Sequence, residues 1–178
     1  MRAKVSFALI LVVLMVAPLW AKGPNGPSNT SELNIFEEDN ILYLFEEEKV
    51  AHDIYAEMYK LWGAYIFNNI SESEQRHMDA VANLIYKYGL DESVFGNVPG
   101  VFNNPVLQEE YERLLIKGNI SLTSALEVGV EIEEMDIADI KVMLEQTDKS
   151  DIERVLNNLL DGSYNHLAAF ERQLGITQ

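Results

Sequence analysis

The chain has 178 residues, with 13 basic against 29 acidic side chains and a formal charge of −16. That balance argues against nonspecific nucleic-acid binding, because phosphates are held by cationic faces, and no nucleic acid is expected as a partner. There is no cysteine, which rules out disulfides, thiolate catalysis, Cys-ligated zinc and iron–sulfur clusters and leaves carboxylates and imidazoles as the metal ligands on offer.

At the N-terminus, Arg2 and Lys4 precede an uncharged apolar run over 5–21 that only Ser6 and Pro18 interrupt. This is the layout of a secretory signal peptide, residues 1–21, cut after Ala21. Leu19 is bulkier than the residue usual three positions before a cleavage site, so an uncleaved N-terminal anchor is the alternative. The expected location is extracytoplasmic, periplasmic or secreted, with a membrane as partner only if that segment is retained. Loss of 1–21 removes two basic groups and no acidic ones, so the remainder is more acidic still. Residues 22–34 carry two Gly-Pro pairs and no periodic apolar pattern, the signature of a flexible linker. No later stretch has the run of about 18 apolar residues that a membrane span needs.

From 35 to 178 the apolar spacing is helical almost throughout. A first helix is expected over 38–62, with Ile41, Leu44, Phe45, Ala51, Tyr55, Met58, Tyr59 and Trp62 spaced by threes and fours and Gly63 as its stop. A second is expected to start at Ser71 and end before Gly89, burying Val81, Leu84, Ile85 and Tyr88. A Gly-, Asn- and Pro-rich stretch follows, then a short helix that Asn104 caps, Pro105 opens and Gly118 ends. Two more long helices fall over 121–146 and 150–174. The fold class is therefore all-α, a four-helix bundle. The links after the first and third long helices are short, which makes each pair antiparallel. The link between the pairs is long enough to run back along the bundle, which is the one-crossover order of ferritin-like folds.

Charged residues that interrupt the apolar stripes mark the chemistry. Glu48 lies in phase with Ile41, Leu44, Ala51, Tyr55 and Met58. Glu74 and His77 precede Val81 and Leu84 on one stripe, and residues three apart on a helix project from one face, so a carboxylate and an imidazole can reach one ion. In the 121–146 helix, Glu133 lies on the most apolar line, with Leu126, Val130, Ile137, Ile140 and Leu144. Glu134 shares a face with Glu127, Lys141 and Glu145. His166 sits at core spacing between Leu159 and Phe170. Buried carboxylates on facing helices repel one another unless a cation lies among them, so the set predicts a metal site. Its carboxylate and imidazole donors suit iron, manganese or zinc.

The strings EEEKVAHDIYAEMY, SEQRHMDAV, IEEMDIADI and GSYNHLAAF resemble the ferritin-like proteins of the DUF2202 family over 34–174. The resemblance implies a pair of irons held between the helices by a Glu, a Glu-x-x-His, a further Glu and often a second Glu-x-x-His. Carried over by motif, Glu48 is the first-helix ligand, with Tyr55 seven residues on. Glu74 and His77 are the second-helix pair, with Glu74 bridging. Glu133 is the third-helix ligand, with Glu134 as second choice, and His166 is the fourth-helix imidazole. Position 163, where the second motif would carry its carboxylate, is Ser. That departure leaves a single ion, or an asymmetric two-metal site filled out by water or by another acid of the 121–146 helix.

Each residue also has a plainer reading. Glu74 follows Ser71 by three and fits a capping box. His166 fits a hydrogen-bonded core histidine. Glu48 belongs to the acidic run 46–48, by default a solvated face. His52 is expected to pair with the nearby acids Asp53 and Glu57 rather than to bind metal. Tyr55 is either a core aromatic whose hydroxyl needs a partner or a redox or hydrogen-bonding group beside the metal. Two functions follow: an exported di-iron carboxylate oxidase, ferroxidase or peroxidase, or a non-catalytic module that binds a divalent cation or serves as an interaction scaffold. An oligomer is possible on such a bundle, although nothing in the sequence specifies its contacts.

Overall fold

The computed structural model describes residues 32–176, so the 1–21 segment and most of the 22–34 linker lie outside the described residues. Five α-helices, α1 (Ile35–Trp62), α2 (Tyr65–Tyr88), α3 (Pro105–Gly118), α4 (Leu122–Gln146) and α5 (Ser150–Leu174), and one 3-10 turn (Glu92–Gly96) make up the secondary structure, with no strand among the described residues. None of these helices is long and apolar enough to cross a membrane.

The helix ends follow from local chemistry. Asn34 caps α1 by accepting from the backbone N–H groups of Phe36 and Glu37, and the Glu37 side chain accepts from the Asn34 N–H in return. This reciprocal cap starts α1 three residues before the expected position. Gly63 ends it at φ +66°, a left-handed conformation that glycine adopts without a Cβ clash. After one more residue α2 begins at Tyr65 rather than at Ser71. Ser71 is mid-helix, and its hydroxyl lies 3.3 Å from the carbonyl of His52 on the neighbouring helix. The capping-box reading of Glu74 therefore fails. Asn104 and Pro105 open α3 as expected.

α1 packs along α2 and α4 along α5; α1–α4 and α2–α5 contacts join the pairs, and α3 lies against α1 and α4. Two apolar clusters fill the interior. One contains Tyr55, Met58, Phe67, Ile70, Ala125, Val128, Ile132 and Phe170. The other contains Ile41, Leu44, Val81, Ile85, Ile140, Met143, Leu156 and Leu159. Along α1 and α5 the second cluster comes first in sequence; along α2 and α4 it comes last. Hence α1 and α5 run one way, α2 and α4 the other, and the connection from α2 to α4 must travel back along the molecule. Between the clusters, all four long helices contribute polar residues at the same level: Glu46 to Lys49, Ser71 and Glu74, Glu133 and Asp136, Ser163 and His166 are all buried.

Candidate metal centre

Burying this many ionisable groups is costly unless each finds a partner or an ion, so the partners decide what the layer is for. The acidic run on α1 is not a solvated face: Glu46, Glu47 and Glu48 are all buried. Glu46 has a structural task, accepting hydrogen bonds from the backbone N–H groups of Asn103 and Asn104 ahead of α3. Lys49 pairs with Asp53 at 2.6 Å and donates to the carbonyl of Val98, pinning the connection to α1. His52 lies 2.9 Å from Asp53, one of the two acids it was expected to pair with.

The remaining groups converge. His77 Nδ1 lies 2.7 Å from Glu74 Oε2 and 3.1 Å from Glu48 Oε2. His166 Nδ1 lies 2.8 Å from Glu74 Oε1 and 3.5 Å from Glu133 Oε2. The imidazole rings stack with centroids 5.5 Å apart. Two sets of ligand atoms thus form, Glu48–Glu74–His77 and Glu74–Glu133–His166, each within 4.8 Å, with Glu74 common to both. Opposite His77, a Cβ placed on Gly162 of α5 would come within 2.6 Å of Nε2. The glycine leaves room for the ring while Nδ1 faces the carboxylates. Tyr55, wholly buried against Phe67 and Phe170, donates its hydroxyl to Glu133 Oε1 at 2.7 Å.

Glu74 Oε1 and His166 Nδ1 face each other at 2.8 Å as an ion pair. Glu48 Oε1 and Asp136 Oδ1 are buried with no hydrogen-bond partner among the described residues. Carboxylate and imidazole atoms gathered this closely could hold a divalent cation.

The electrostatics agree. Burial raises Glu48 and Glu133 to about 8, against the pull of His77 on the first and His166 on the second. Glu74 is held at about 2: burial opposes this, but His166 and His77 outweigh it. Burial disfavours imidazolium, yet Glu48 and Glu74 lift His77 to about 11, and Glu133 and Glu74 lift His166 to about 10. Burial, reinforced by the carboxylates of Glu133 and Glu74, keeps the Tyr55 phenol protonated. Without a cation, the layer is neutralised by protons on carboxyls and imidazoles.

Residues 37–177 match the sequence profile of the Uncharacterized protein domain DUF2202. The chain belongs to the DUF2202 family. It is 46% identical over 138 residues to the uncharacterized protein MJ0754 of Methanocaldococcus jannaschii, a match covering 78% of this chain and 75% of that protein. The crystal structure of hypothetical protein MJ0754 from Methanococcus jannaschii superposes with a TM-score of 0.79 at 42% identity, covering 87% of this chain and 86% of that one. A crystal structure of a DUF305 fragment from Deinococcus radiodurans shares the fold, with a TM-score of 0.64 at 14% identity over 83% of this chain and all of the fragment.

Within this DUF2202 chain, five of the six expected ligands, Glu48, Glu74, His77, Glu133 and His166, meet in the buried layer, and Tyr55 touches it. Glu134 does not: it is exposed, because it lies one residue, about 100° of helical turn, away from Glu133. Glu131 is bound to Arg113 and Lys117, each at 2.7 Å. Besides Glu46, two buried acids of the layer were not singled out from the sequence. Asp136 accepts a hydrogen bond from Ser163. Glu47 has neither carboxyl oxygen hydrogen-bonded among the described residues, and burial and the charges of Asp136, Asp139 and Glu48 push it well above the carboxylate range. Asp136 follows Glu133 by three, so the helical period carried a signal for it.

Proposed function

We propose that the chain is an exported, ferritin-like four-helix bundle that binds iron between its helix pairs and acts as an oxidase, ferroxidase or peroxidase. The observation that carries this reading is the pair of buried ligand sets sharing Glu74, with Glu48 Oε1 left unpartnered in one of them. The antiparallel helix pairs joined by one long connection support the bundle, and the apolar 5–21 run behind Arg2 and Lys4 supports export. Glu48 and His77 would hold one ion and Glu133 and His166 the other, with the two oxygens of Glu74 directed to the two sides. Two ferrous ions held there would supply the two electrons that reduction of a peroxide to water requires, with the two protons coming from solvent.

The protein's own groups shape that chemistry. Tyr55 holds a proton 2.7 Å from Glu133. Glu48 and Glu133, raised to about 8 without a cation, would give up their protons on binding one. The two apolar clusters exclude water above and below. The imidazole side chains are 11–12% exposed, whereas Glu48, Glu74 and Glu133 are 1–2% exposed, so small molecules approach past the histidines, between α2 and α5.

Anaerobic addition of Fe(II), then oxygen or peroxide, tests the reading. It is supported by two irons bound per chain, followed by iron oxidation and oxidant consumption faster than in buffer. Ser163, which removes a motif carboxylate, favours a second reading, a non-catalytic divalent-cation module. One tightly held zinc with no oxidant consumption is its expected result.

A further inference from the structure

The two helix pairs contribute to the buried layer in matching positions. On α1 and α2 these are Glu48, Ala51, Glu74 and His77; on α4 and α5 they are Glu133, Asp136, Ser163 and His166. In the first pair the acid three residues before the histidine is present, and the residue three after the first glutamate is small. In the second pair the two are exchanged: Ser163 is small, and Asp136 supplies an acid from the opposite helix. The side chains touch, with Ser163 Oγ bonded to Asp136 Oδ2 and also 3.0 Å from the carbonyl of Leu159. Ser163 is wholly buried and Asp136 is 6% exposed. The other aspartate oxygen, Oδ1, is buried with no partner among the described residues.

Resting on the metal-centre reading above, we propose that Asp136 is the fourth carboxylate of the centre, moved from α5 to α4, that Ser163 is its positioning residue, and that the chain therefore holds two divalent cations. Charge supports the count. Glu48, Glu74, Glu133 and Asp136 bring four negative charges, which two divalent cations beside neutral imidazoles cancel in a space that tolerates little net charge. Three carboxylates would leave a second cation under-neutralised. Asp136 follows Glu133 by three on α4 and so projects from the same helix face, toward the same buried layer. The hydroxyl on Oδ2 fixes the carboxyl plane and leaves Oδ1 free, the outer-shell support that ligating carboxylates need.

Anaerobic Co(II) titration of the full chain, read by visible absorption and by metal analysis after equilibrium dialysis, tests this. The wild type takes two equivalents. Asp136→Asn keeps one and binds the second at least about a hundredfold more weakly, while Ser163→Ala keeps both with the second weakened about tenfold. The double exchange Asp136→Ala with Ser163→Glu returns the acid to α5 and restores the second equivalent. The proposal is overturned if the wild type takes only one ion. It is also overturned if Asp136→Asn binds two with unchanged affinity. Should Asp136→Asn lose its helical circular dichroism, unchanged affinity in Ser163→Ala together with no second ion in the double exchange overturns it equally. A wild type that takes no Co(II) at all instead removes the metal-centre reading on which the proposal stands.

Discussion

Gly162 lacks a side chain because His77 leaves no room for one. A methyl at 162 would press on Nε2 and turn Nδ1 away from Glu48 and Glu74. Gly162→Ala is therefore expected to weaken binding of the first ion by about 10- to 100-fold while the helices stay folded, as read by competition with a chromophoric chelator; unchanged affinity would contradict the placement. His77→Ala is expected to lower metal content without unfolding, measured by elemental analysis and circular dichroism. Glu47 has no hydrogen-bond partner among the described residues and a raised pKa. Its replacement by the neutral Gln should stabilise the metal-free protein at pH 8 and lose that advantage near pH 4, where the acid is itself neutral; urea melts at the two pH values check it. At this scale the sequence was informative where phase was: Glu48, Glu74, His77, Glu133 and His166 each broke an apolar stripe. Glu47 stood out less, because it is three after Leu44 and four before Ala51 but only Glu48 also stands seven from both Ile41 and Tyr55. The burial of Glu47 goes with the packing of α4 on α1, which brings Asp136 and Asp139 near it and which no local pattern records.

The connection between α2 and α4 is tied to α1 by acids. The Glu46 carboxylate holds two backbone N–H groups just before α3, and Asp53 receives the N–H of Gly100. Replacing Glu46 by Ala should cost about 1–3 kcal/mol, since it leaves half-buried donors unpaired. It should also speed amide exchange over 103–107 more than within α5, which hydrogen-exchange mass spectrometry resolves. At the other end of α1, Asn34→Ala removes a reciprocal cap and should cost about 1 kcal/mol in chemical denaturation. Helix existence was legible in the 3.6-residue periodicity. The start of α2 was not, because Ala64 offers no side-chain cap while Ser71 with Glu74 imitates one. What fixes that boundary is the left-handed Gly63 turn together with the packing of Phe67 and Ile70 into the apolar cluster.

For the molecule as a whole, the buried layer of the metal-free protein crowds carboxyls and imidazoles together, a conflict that a bound cation would relieve. Glu48 and Glu133 titrate at about 8 when folded, above the ordinary carboxyl value, so the folded state holds protons that the unfolded chain releases above about pH 4.5. His77 and His166, raised to about 11 and 10, likewise hold protons that the unfolded chain releases above about pH 6.5. Both effects make metal-free stability fall as pH rises, from about 4.5 through 8 for the carboxyls and from about 6.5 through 11 for the imidazoles. Glu74, depressed to about 2, contributes in the opposite sense, and its stabilisation is lost only as pH falls below about 4.5. Thermal melts of metal-free protein should therefore peak in mild acid and decline toward pH 9. Saturating Mn(II), which displaces those protons, should flatten or reverse the decline.

Anomalous diffraction from crystals grown with Mn(II) tests the central claim most directly. Two peaks are predicted between the apolar clusters, one beside Glu48 and His77 and one beside Glu133 and His166, with the Glu74 carboxylate between them. A buried layer without a peak, with manganese only at exposed acids such as Glu134, would contradict it.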